Sequence, residues 1–182
     1  MIGEKETIFL DLHFLTAKPV FYAANVDQKE IRGEGSCLKA ITGWAKKEGN
    51  KVVVICGDLE AELAELKEEE REEFRRELGL EGSSLERLVQ VGYEILSLVT
   101  FYTTVSSELR AWTVSSGTPA PKAAGKIHSD MERGFIRAEV ISFSDFITCG
   151  SEHSAREKGL LRSEGKDYLI RDGDIIHFRF HV

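Results

Sequence analysis

A lysine that follows a glycine is the natural start of a phosphate cradle, and this chain has two such pairs, Gly125-Lys126 and Gly165-Lys166. A phosphate-binding loop also needs a glycine five residues before the pair and a Ser or Thr after it. The glycine lets backbone amides wrap the phosphate, and the hydroxyl holds magnesium. Here Ala120 and Leu160 stand at the glycine place, and Ile127 and Asp167 at the hydroxyl place. No aspartate opens an Asp-x-x-Gly motif. Phosphate and magnesium chemistry cannot be built from these residues. Paired carboxylates crowd residues 60–77, but they fall on one side of a helical pattern and read as a solvated face rather than an acid/base pair. His177 and His181 share one strand parity. No His-Glu-x-x-His motif or Cys/His cluster accompanies them, so no metal site is expected. No Gly-x-Ser-x-Gly nucleophile turn is present. No catalytic residue is assigned.

The elements that would position any remaining chemistry fall into two groups. Pro19 to Asn25 reads as a buried strand, Ser36 to Lys47 as a helix on Leu38, Ile41 and Trp44, and Lys51 to Cys56 as a β-branched strand. Strand, helix and strand in this span predict a βαβ unit of a parallel sheet. One helix is then expected on the stripe Leu59, Leu63, Leu66, Phe74 and Leu78, stopped by Gly79. Ser83-x-x-Glu86 predicts a capping box for a further helix. From residue 98 the pattern changes. Strands are expected at Val99–Thr104, Leu109–Val114, Phe135–Phe143, Tyr168–Ile170 and Ile175–His181, with a short helix from Pro121 to His128. Residues 145–159 read as broken helix or loop, and Asp172-Gly173 as a turn. In the last strand Phe178 and Phe180 alternate with His177, Arg179 and His181, which predicts an aromatic buried face and a basic wet one.

The composition narrows the function. A net charge of −7 on 182 residues argues against coating nucleic acid through bulk charge. The charge is uneven, however: glutamate crowds residues 60–86, while basic residues interleave with apolar ones after Arg110. Cys37, Cys56 and Cys149 are far apart and odd in number, which predicts reduced thiols in the cytoplasm. No apolar run is long enough to span a membrane.

Two stretches carry a family resemblance. Lys18-Pro-Val-Phe-Tyr-Ala-Ala-Asn-Val-Asp27 resembles the base-recognition segment of YchF-type (Obg-like) P-loop NTPases, with Val54 to Leu66 similar to their last base-contacting loop and the helix after it. Leu109 to Val114, Ala120 to His128, Glu132 to Ala138, Glu164 to Tyr168 and Asp172 to Phe180 are similar to the family's C-terminal TGS domain. The resemblance implies an α/β remnant of a Ras-like nucleotide domain (βαβ plus helices) over residues 1–97. An α+β β-grasp, ubiquitin-like TGS domain would follow over 98–182. The P-loop and switches would lie outside this sequence. It also implies a family that binds ATP in preference to GTP, with Mg2+, and associates with ribosomes.

The resemblance also implies sites. Asn25, Val26, Gln28, Cys56 and Gly57 would face the nucleotide base. Ordinary GTPases read guanine with an aspartate three residues after the asparagine, because a carboxylate accepts the paired guanine donors. Gln28 stands there in this chain, where the family has Glu, so no guanine preference is expected. A strand-end turn without ligand is the alternative. Arg110, Lys122, Lys126, His128, Arg133, Arg137 and Arg179 would meet the ribosome or RNA, with His128 or Trp112 stacking on a base. Three functions compete: a ribosome/RNA-docking part of an ATPase, an enzyme in its own right, and a protein-interaction module with nucleotide function lost.

A two-stranded parallel piece leaves an exposed edge and an uncovered face. Limited proteolysis is therefore expected to degrade residues 1–60 first and leave 98–182 intact. Early loss of 98–182 would refute this.

Overall fold

The computed structural model describes residues 12–31, 35–80, 82–105 and 108–181. It divides into two compact units, one up to Leu96 and one from Ser97.

In the first unit, β1 (Phe21–Asn25) and β2 (Lys51–Ile55) pair in parallel, joined through α1 (Ser36–Glu48). The expected strand–helix–strand order is present. α1 ends where Gly49 takes φ 75°, and the amides of Gly49 and Asn50 close on the carbonyls of Lys46 and Ala45. That left-handed cap suits glycine. The single expected helix is instead two, α2 (Gly57–Ala64) and α3 (Glu68–Glu77). Arg71 explains the break. Its guanidinium donates to the carbonyls of Leu63 (2.8 Å), in the last turn of α2, and Leu66 (3.0 Å), in the link just beyond it. Glu68, Glu69 and Glu70 then open α3, where the helix dipole favours negative charge. Phe74, read as part of the buried stripe, is exposed. α4 (Ser84–Ile95) begins with the expected capping box: Ser83 Oγ accepts from Leu85 N–H, and Glu86 accepts from Ser83 N–H. The core here is small: Cys56, Leu59 and Leu63, with Ile31, Leu66, Leu78 and Leu80 packed around them.

The second unit is a five-stranded mixed sheet. Its strands are β3 (Leu98–Val105), β4 (Glu108–Ser115), β5 (Phe135–Ser142), β6 (Arg162–Glu164) and β7 (Asp174–Phe180). They lie in the order β4-β3-β7-β5-β6, with β7 parallel to β3 and antiparallel to β5. Helices α5 (Ala120–Ile127) and α6 (Ser129–Arg133) follow the first hairpin. Helices α7 (Phe143–Cys149) and α8 (Glu152–Glu157) fill the segment expected to be broken helix. Two strand expectations change. Tyr168–Ile170 forms no sheet strand; it bonds instead to the loop before α5, with Ala120 N–H donating to Tyr168 and Ile170 N–H to Thr118. The edge strand β6 was not foreseen, because Arg-Ser-Glu has no apolar alternation to reveal it.

Alanines build the main core. Ala120, Ala123 and Ala124 of α5 are fully buried, so the helix backbone approaches the sheet closely. Phe101 meets the edge of Phe178 at 5.9 Å between centroids, and Phe135 meets Phe178 at 6.2 Å. A second cluster, Ile141, Ala155 and Ile175, lies on the opposite sheet parity and is covered by Phe146, Cys149 and Leu160. Asp172-Gly173 forms the expected turn and docks on β3: Asp172 Oδ1 accepts Thr100 N–H at 2.7 Å, and Gly173 N–H donates to Thr100 O at 2.8 Å. These bonds seat β7 beside β3.

Phe101 has no exposed surface. Phe101→Ala should therefore cost about 3–5 kcal/mol, read as a lowered denaturation midpoint for the second unit. A cost under about 1 kcal/mol would contradict this core.

Candidate functional site

The parallel strands β1 and β2 end side by side, with Asn25 opposite Ile55 and Val26 N–H donating to Ile55 O at 2.9 Å. Past these ends Asn25 Oδ1 accepts the N–H of Gly57 at 3.0 Å. This bond ties one strand end to the first residue of α2. Asn25, Val26, Cys56 and Gly57 are thus brought together. Gln28 opens an exposed 3-10 turn, Gln28–Glu30, just beyond. The thiol of Cys56 is buried with Leu59 and Leu63, so that residue offers the loop its backbone alone. The carboxyl ends of parallel strands are where α/β sheets hold ligands. At this rim the N–H groups of Val26 and Gly57 are already bonded to Ile55 O and Asn25 Oδ1, and Gln28 carries an amide side chain in place of a guanine-reading carboxylate.

The seven basic candidates do not form one patch. Arg110 shares the parity of Trp112 on β4 and pairs with Glu108 at 2.8 Å. It lines an open groove of about 550 Å3 with Trp112, Ile127, Met131, Phe178 and Phe180. Trp112 is half-buried and donates its indole N–H to Thr103 at 2.9 Å, so its ring belongs to the edge of the core rather than to a free stacking surface. Lys122 on α5 pairs with Glu132 at 2.6 Å. Lys126 is exposed on the same helix. His128 caps α6, its Nδ1 accepting the N–H of Asp130, and Arg133 lies 3.4 Å from the Asp130 carboxylate. Arg137 and Arg179 are the exception. They are direct cross-strand partners on the opposite sheet parity.

Their meeting depends on an irregularity. Strict alternation along β5 would put Arg137 on the same face as Phe135. The ladder shifts between Phe135 and Arg137, so that Phe135 and Ala138 both face the core while Arg137 and Glu139 face the other way. A bulge re-aims side chains in this manner. Glu139 and Arg156 are the residues of this cluster that the sequence did not single out. Glu139 is 8% exposed and binds three guanidiniums: Arg137 at 2.9 Å, Arg179 at 3.1 Å and Arg156 of α8 at 3.4 Å. Two arginines directly opposite each other would repel, and the carboxylate between them offsets that. The hydrogen bond from Arg179 holds the Glu139 carboxyl at about 2; burial opposes this, and Arg137 reinforces it. His177 is the cross-strand partner of Glu139 on β7. A carboxylate inside an alternating strand is a weak hint in sequence, and nothing there shows which arginines reach it. Among the described residues, no group of three His, Cys, Asp or Glu side chains could hold a metal, and no helix is long and apolar enough to cross a membrane.

Residues 98–181 match the family described as "YchF-GTPase_C: Protein of unknown function (DUF933)". The chain is 48% identical over 180 residues to the "Ribosome-binding ATPase YchF" of Escherichia coli O157:H7, covering 99% of this chain and 49% of that protein. It is 44% identical over 182 residues to the protein of the same name from Bacillus subtilis, covering 98% and 50%. Among solved structures, the Schizosaccharomyces pombe YchF GTPase superposes with a TM-score of 0.87 at 32% identity, over 97% of this chain and 48% of the other. The chain spans about half the length of the relatives it matches.

The depressed carboxyl of Glu139 has a consequence for stability. Its folded value of about 2 lies below the ordinary 4.5, so its contribution is complete above about pH 4.5 and lost as pH falls towards 2. The melting temperature of the second unit should fall across that window. Glu139→Gln should lower it at neutral pH and flatten the acid dependence. An unchanged acid profile in Glu139→Gln would refute this role.

Proposed function

Because the chain belongs to the YchF family and corresponds to the C-terminal half of its relatives, we propose that it is the ribosome- and RNA-docking part of an ATP-preferring NTPase. The observation that carries this reading is 48% identity, over nearly the whole chain, to a protein named as a ribosome-binding ATPase. The second unit is a TGS-type β-grasp. The sheet order β4-β3-β7-β5-β6, with helix α5 packed on one face, supports that reading. Its exposed basic residues, Arg110, Lys122, Lys126, His128, Arg133, Arg137 and Arg179, supply contacts to phosphates. The first unit is the carboxyl-terminal piece of a Ras-like nucleotide domain. Its rim of Asn25, Val26, Gln28, Cys56 and Gly57 faces the base of ATP, or of GTP, without selecting guanine. The triphosphate and Mg2+ are held by residues of the whole enzyme that this sequence does not contain, so the chain alone does not hydrolyse nucleotide. The protein works in the cytoplasm, where ribosomes are.

Two measurements test this. Co-sedimentation with purified ribosomes should show binding that weakens as salt rises, because phosphate contacts release counterions. Calorimetry with ATP and GTP at millimolar concentration should show no heat. Salt-insensitive or absent ribosome binding would favour a protein-interaction module. Clear ATP binding would mean that phosphate contacts exist in this chain and would redraw the division of labour.

A further inference from the structure

From Ser97 onward the chain has eleven Lys and Arg and eleven Asp and Glu residues. The second unit therefore carries no net charge to draw it to a polyanion. Attraction has to come from a place where cations locally exceed anions. Elsewhere among the described Lys and Arg ion pairs of this unit, carboxylates equal or outnumber the cations. Arg110 has Glu108, Lys122 has Glu132, Arg133 has Asp130, and Arg162 has both Glu164 and Asp174. The exception is the cluster at Glu139, where one buried carboxylate serves Arg137, Arg156 and Arg179. Counting Glu152, 3.9 Å from Arg156, the cations still outnumber the carboxylates three to two.

We propose that Arg137, Arg156 and Arg179, oriented by Glu139, form a phosphodiester clamp through which the second unit grips an RNA backbone. The inference rests on the docking reading above and assigns it to one face. All three cations are arginines, whose planar forks bind phosphate oxygens in bidentate fashion. About half of each side chain remains exposed, at 48%, 56% and 44%. Each bond to Glu139 uses one terminal nitrogen of its guanidinium, and a guanidinium has five N–H donors. The carboxylate thus holds three forks in place and leaves donors for an incoming anion.

The mounting is rigid. Arg137 and Arg179 sit on paired central strands. Arg156 follows Ala155, which has no exposed surface and locks α8 onto Ile141 and Ile175. Side chains fixed before binding lose less entropy when a ligand arrives. Glu139 touches no phosphate in this scheme and is a positioning residue.

The test titrates a fluorescently labelled RNA hairpin with the full chain over a salt series. Arg156→Gln/Arg179→Gln should bind roughly tenfold more weakly, with a log–log salt slope shallower by about 1.4–1.8, the share of two phosphate contacts. Lys166→Gln/Arg171→Gln removes the same charge from exposed positions that take no part in the cluster's ion pairs and should match the unsubstituted chain. Arg156→Lys/Arg179→Lys should keep the slope and lose affinity, because the charge remains and the fork is gone. Melting curves show that each variant is folded. Equal weakening by both glutamine variants overturns the clamp. So does loss of binding on Lys122→Gln/Arg133→Gln with the cluster variant intact; the docking reading survives either result. Failure of the unsubstituted chain to bind both ribosomes and hairpin overturns clamp and docking together. Poly-glutamate bound as tightly as the hairpin, and lost in the same variant, would reassign the face to an acidic protein partner and overturn the RNA clamp.

Discussion

Strand alternation under a buried face is the constraint on which the second unit depends. Phe178 and Ile176 of β7, with Ala138 and Val140 of β5, lie under the alanine-surfaced helix α5. Side chains alternate along a strand, so this burial also decides what faces the other way: His177 and Arg179 on β7, Arg137 and Glu139 on β5. The core and the charged cluster are thus two consequences of one register. The bulge near Ile136 makes them compatible. It lets Phe135 and Ala138 share the core at a spacing that strict alternation forbids.

The electrostatics follow from that geometry. A half-buried strand tolerates opposed arginines when something neutralises them, and Glu139 does so from a nearly water-free position. Low exposure strengthens each charge-assisted hydrogen bond, and it also makes the carboxylate costly to leave unpaired. The same contacts that stabilise the strand pair therefore hold the guanidiniums still. In the first unit the comparable device is the Asn25–Gly57 hydrogen bond, which joins the end of β1 to the start of α2.

Much of the fold was legible. The βαβ pattern, the capping box at Ser83, the first hairpin, α5 and the strands β5 and β7 all announced themselves through periodicity and turn chemistry. The misses have physical causes. An apolar stripe of period 3.6 cannot reveal that Arg71 will bond the carbonyls of Leu63 and Leu66, at the break between α2 and α3. Three polar residues, Arg162 to Glu164, carry no strand signature, since an edge strand needs only backbone pairing. Tyr168–Ile170 looked like a strand by composition, but its backbone partners are in the loop before α5.

By itself the sequence carried the family resemblance, the absence of a P-loop pattern within these residues and most element boundaries. These rest on local residue types and spacing. Only the tertiary structure decided which charged residues meet. Arg137, Arg156 and Arg179 come from a strand, a short helix and another strand. Arg156 lay in a stretch with no periodic signal, and a bulge reversed the parity of Arg137. Which side chains converge depends on register and on packing between distant segments, and no local pattern encodes either.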